Sequence, residues 1–118
     1  SKKGTHSLWN YNTYLQENIK YVSDIAVFSK KNNINLLLIS PPVSKCYNLK
    51  LHTDQYSEMV RLSDSIASEY MNCTYLNMMQ DSLFKKHDFH NADHLNDSGA
   101  SKLSVMVNKF LSVNKYEQ

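Results

Sequence analysis

The run Leu36-Leu37-Leu38-Ile39, closed by Ser40-Pro41-Pro42, constrains the fold more than any other part of this chain. A short, near-continuous apolar stretch is the pattern of a strand covered on both faces, as in a parallel sheet. It ends hard, because neither proline can donate to a ladder. A helix pattern precedes it. From about Asn12 to Lys31, the residues Leu15, Ile19, Val22 and Ala26 recur at helical spacing, and Ile25 and Phe28 widen the stripe. Lys30 and Lys31 suit the negative end of the helix dipole, and Asn32-Asn33 supply a left-handed stop.

After the prolines, residues 43–53 read as a loop, with Tyr47 placed to line a pocket. A second helix spans about Asp54 to Met71, with Tyr56, Met59, Val60, Ser63, Ile66, Ala67 and Tyr70 along one face. Cys73-Thr74-Tyr75-Leu76-Asn77 reads as a second strand, and residues 78–84 as a helical turn. A polar segment, 85–97, leads to a last helix capped by Asn96 or Asp97, with Leu103, Val107, Phe110 and Leu111 as its buried stripe. Residues 1–10 look like an irregular lead-in with Trp9 as an anchor.

Helix, strand, helix, strand, loop, helix is the order of an α/β fold whose parallel strands are joined by right-handed crossovers. The expectation is a partial doubly wound, flavodoxin-like sheet flanked by helices, a three-layer α/β/α arrangement in a single domain over 1–118. Two strands are too few to cover three amphipathic helices. The chain is therefore expected to be the C-terminal part of a larger domain, its sheet completed by other strands. An open sheet edge also suggests a homo-oligomer formed by strand pairing.

Composition narrows the function classes. Lys+Arg 13 against Asp+Glu 11 is near balance, and only Arg61 is an arginine. Without a concentrated basic face, nucleic-acid binding is not expected. No apolar run approaches the roughly 20 residues that span a bilayer, so no membrane role is expected either. Cys46 and Cys73 make neither a disulfide framework nor a metal knuckle and read as buried thiols. No cofactor is expected. Asn72-Cys73-Thr74 and Asn96-Asp97-Ser98 match the glycosylation pattern, which is short enough to occur by chance.

Any case for chemistry rests on Asp88-Phe89-His90-Asn91-Ala92-Asp93-His94-Leu95-Asn96-Asp97-Ser98-Gly99-Ala100. It crowds acids, histidines and a turn against the start of a helix. His94, with Asp93 beside it and Asn91 three residues before it, has the surroundings of a general base. Two other readings compete: a histidine that braces the last helix, and a metal site built on His87, His90 and His94. The metal reading needs a helix to bring histidines four apart onto one face, and this segment precedes the helix.

The segments Asn33 to Pro42, Tyr75-Leu76-Asn77 and the Asp-His-Leu-Asn-x-x-Gly-Ala block from Asp93 to Ala100 resemble the C-terminal half of SGNH (GDSL-like) hydrolases. The resemblance implies a serine attacking an ester or acyl group, a histidine taking its proton, and an aspartate three residues earlier orienting that histidine. His94 would be the base. Asn91 stands at the aspartate's position, with Asp93 as the substitute acid. The family's Gly-Asp-Ser turn is absent; the chain has only Gly4 and Gly99. Ser40 makes a poor nucleophile because Pro41 and Pro42 lack the N–H groups of an oxyanion hole. The resemblance further implies an ester or acylated carbohydrate as substrate and a secreted or periplasmic location. The alternative is a non-catalytic α/β interaction module.

Overall fold

A helix of 29 residues, α1 (Lys3–Lys31), opens the chain. A computed structural model describes residues 3–113, with side chains from Thr13 onward. The irregular lead-in expected over 1–10 is helical from Lys3 on. No proline interrupts this stretch, and a nucleated helix gains one hydrogen bond for each further residue. The Trp9 side chain lies outside the described ones. α1 ends as its last residues dictate: Asn33 takes a left-handed backbone, φ 54°. The Ile34 N–H then closes back on the Ser29 carbonyl at 2.9 Å.

Five further elements and a short turn follow among the described residues: β1 (Leu36–Ser40), α2 (Lys45–Asn48), α3 (Thr53–Glu69), β2 (Cys73–Asn77), a 3₁₀ turn at Lys86–Asp88, and α4 (Asp97–Val113). The fold is mixed α/β, with β1 and β2 paired as a two-stranded parallel sheet flanked by helices. The loop expected at 43–53 contains the single-turn helix α2. The Ser44 hydroxyl caps it by accepting the Tyr47 N–H at 3.3 Å.

The chain divides into two compact units, one formed by the chain up to Ile39 with Asp54–Leu76, the other by Ser40–Thr53 with the chain from Asn77 on. In the first, Ala26 of α1, Ile66 of α3 and Cys73 of β2 form the buried centre. Val22, Leu36, Leu38, Ala67 and Tyr70 pack around it. Burying a side chain the size of Ile66 contributes about 2 kcal/mol. The apolar stripe of α3 lies on the predicted face.

β1 departs from expectation. Its residues Leu36 to Ile39 are half-buried rather than covered on both faces. Every strand of a two-stranded sheet is an edge, and so small a sheet shields little. The same shortage of surface leaves Ile25 and Phe28 of α1 more than half exposed, in line with Tyr14 and Tyr21. Leu111 of α4, expected in a buried stripe, is also exposed.

The second unit has its own buried set, Met78, Met79 and Phe84, and the fully buried Pro42. Backbone bonds tie its two segments together: the Val43 N–H to the Met79 carbonyl at 3.3 Å, and the Ser44 N–H to the Ala92 carbonyl at 2.9 Å. No helix among the described residues is long and apolar enough to cross a membrane.

Candidate histidine site

The second unit gathers all three residues expected at the site, and it does so with a tight turn. Phe89 and Leu95 form an antiparallel bridge, and the His90 N–H donates to the His94 carbonyl at 2.8 Å. Asn91-Ala92-Asp93 is the tip. Asn91 braces it, its Oδ1 accepting the Asp93 N–H at 3.3 Å. Asn and Asp both favour this kind of local turn bond.

The same Asn91 Oδ1 lies 2.9 Å from His94 Nδ1, and Asp93 Oδ1 lies 2.9 Å from that nitrogen too. Both are acceptors, so the ring proton belongs on Nδ1 and the lone pair on Nε2. Among the described residues, nothing bonds Nε2. The backbone N–H of Asp93 fixes which end of the Asn91 amide faces the ring. Asn91 and Asp93 therefore both orient His94, and only Asp93 brings charge. The His94 side chain is 70% exposed, so solvent screens that pair to about 0.5 kcal/mol.

The rest of the motif is a folding device. Asn96 caps α4: its Oδ1 accepts the Gly99 N–H at 3.0 Å, and its Nδ2 donates to the His87 carbonyl at 2.7 Å. Its backbone N–H donates to the Asp88 carbonyl at 3.0 Å. Gly99 is required by close approach: a Cβ there would stand 2.1 Å from the Asp88 carbonyl oxygen and 2.8 Å from Leu95 Cδ2. With both ends of its amide engaged inside the fold, Asn96 is poorly placed for glycosylation.

Asp88 and Lys102 are the pair that sequence reading missed. The Asp88 side chain is fully buried and bonded to the Lys102 ammonium, which also donates to the Leu83 carbonyl at 2.9 Å. The Lys85 N–H donates to Asp88 at 2.8 Å. The Lys102 hydrogen bond first, then that backbone bond, hold the Asp88 carboxyl below the usual carboxylate range against the opposing effect of burial. Asp88 stood in the crowded segment as a flanking acid, but Lys102 lies 14 residues on with no local signal.

The metal reading fails on geometry. Among the described residues, no three of His, Cys, Asp and Glu converge to hold an ion. His87 sits in the 3₁₀ turn, and His90 and His94 are the two ends of a turn, so helical spacing never applies. Ser40 is buried. Cys46 is exposed, against expectation, while Cys73 is buried and its thiol pushed up by that burial. Tyr47 is half-buried at α2 and is not among the residues lining the hollow over His94. A shallow hollow lies over His94, formed with His90, Asn91, Leu95 and Ser98. Comparison with family models, with curated proteins and with solved structures returned no match.

Proposed function

We propose that this chain carries the histidine of an SGNH-like ester hydrolase or acyl-transfer site, with His94 as general base and Asn91 and Asp93 as its braces. One observation carries the reading: two oxygens at 2.9 Å hold His94 by Nδ1, which leaves Nε2 to act as the base on a ring that lines the hollow. A base so held takes the proton of an attacking hydroxyl as the acyl carbon is approached, then returns it to the leaving oxygen. Asn91 keeps the family's orienting position, and the adjacent Asp93 stabilises the imidazolium that forms. The work of one aspartate is divided between two residues. In this reading β1 and β2 belong to a doubly wound, three-layer sheet, and the substrate is a small ester or acylated carbohydrate.

The test is hydrolysis of 4-nitrophenyl acetate by the protein at its full natural length. His94→Ala is expected to lower kcat/KM by roughly 100-fold or more. Asp93→Asn and Asn91→Ala are expected to lower it about tenfold each, and more than additively together, since either oxygen holds the ring when the other is gone. Equal, nonzero rates in the wild-type protein and His94→Ala would remove the role given to His94.

A second reading, a non-catalytic α/β interaction module, is favoured by Gly99. Its N–H is engaged by Asn96 and is not offered to an oxyanion.

A further inference from the structure

The second unit contains a groove of about 830 Å³ that shares the wall His90–Asn91 with the hollow over His94. Its lining is divided by chemistry. Val43, Phe84 and Phe89 give it apolar surface, while Lys45, Lys85 and Lys86 bring three ammonium groups. Among the described residues, no carboxylate pairs with any of those three. The one acid in the lining, Asp81, accepts the Leu83 N–H at 2.9 Å and is partly turned to that local use. Lys102 is excluded from this group because Asp88 holds it. A balanced chain, +2 overall, thus concentrates net positive charge, three lysines against Asp81, beside an apolar surface.

We propose that this groove binds a small anion carrying a short apolar chain, a phosphate or carboxylate set against the lysines with its chain along Phe84 and Phe89. The reading of His94 as a base makes that anion part of the substrate, and the groove proposal rests on it for that alone. Binding does not need His94. Charges lining a concave, partly apolar surface focus potential and raise the local concentration of a ligand of opposite sign. The apolar lining makes a bare inorganic ion a poor match, because it leaves that surface wet.

The experiment is an amide-resolved NMR titration of the protein with hexyl phosphate, hexanol and hexylammonium. Hexyl phosphate is expected to shift Phe84, Lys85, Lys86 and Phe89 saturably, with hexanol and hexylammonium at least about tenfold weaker. The triple variant Lys45→Glu, Lys85→Glu, Lys86→Glu should lose at least about tenfold in affinity for hexyl phosphate. His94→Ala should bind it as the wild-type protein does. Raising NaCl from about 50 mM to about 0.5 M should weaken wild-type binding several-fold, a measurement that needs no variant. Hexanol binding as tightly as hexyl phosphate, salt-independent binding, or no saturable shift would each overturn the proposal. Because the readout is binding, it stands or falls separately from ester hydrolysis.

Discussion

The unit built on β1 and β2 has an apolar centre, whereas the unit carrying His94 adds to its own buried apolar set polar groups that each satisfy several partners. In the first, Ala26, Ile66 and Cys73 meet without a single ion pair at the centre. In the second, Asp88 joins Lys102, Lys85 and, through its carbonyl, Asn96. The difference has consequences for tolerance. An apolar cluster relaxes around a change of volume, while a buried charge that loses its partner keeps its desolvation cost. A loop bearing a general base needs the second kind of support, because hydrogen bonds fix direction and hydrophobic burial does not.

The largest expected effect is at Gly99. Gly99→Ala drives a Cβ into the Asp88 carbonyl and should destabilise the protein by about 3 kcal/mol. Hydrogen exchange should show α4 and the 86–95 amides losing protection while β1 and β2 keep theirs. Equal loss in both would break the distinction between the units.

A smaller effect follows from Asp88. Its folded-state pKa is depressed, so its contribution to stability is present above the ordinary carboxylate range and disappears as pH falls through the lower, folded value. Thermal melts of the wild-type protein should therefore lose Tm as pH falls below about 4. Asp88→Asn should melt on the order of 10 °C lower at neutral pH and vary less across the acid range. An unchanged acid slope in that variant would assign the pH dependence elsewhere.

The smallest effect is chemical labelling. Cys46 is exposed and should react with Ellman's reagent within seconds to minutes, while the buried Cys73 should react only as the first unit opens. In Gly99→Ala, unchanged Cys73 labelling would sharpen the comparison, and acceleration matching the loss in α4 would show that the units open together.

Much of this was legible along the chain. The strand run before Pro41, the Cys73–Asn77 strand, the α3 face from Tyr56 to Tyr70 and the Asn33 stop all depend on neighbours within a few residues. The turn around His94 was legible in part, because Asn91 and Asp93 act on it over three residues and one. The missed features have another origin. Lys102 reaches Asp88, and Lys45 joins Lys85 and Lys86 at one groove, only after the chain has folded back. The same holds for the exposure of Ile25 and Phe28: their spacing promises a buried stripe, and burial depends on how much sheet there is to cover it.

By itself, the sequence determined the types of α3, α4 and the two strands, the strand ended by Pro41-Pro42, and a histidine placed beside an acid and an amide. Those follow from local propensity, proline's missing donor and short-range hydrogen bonding. Only the tertiary structure decided that both Asn91 and Asp93 reach the same ring nitrogen. It also decided that Gly99 is fixed by the Asp88 carbonyl, and that Lys45 shares one groove with the distant pair Lys85-Lys86. The first depends on how the turn aims two neighbouring side chains, and the others on distances between residues apart in the chain, neither of which spacing along a sequence encodes.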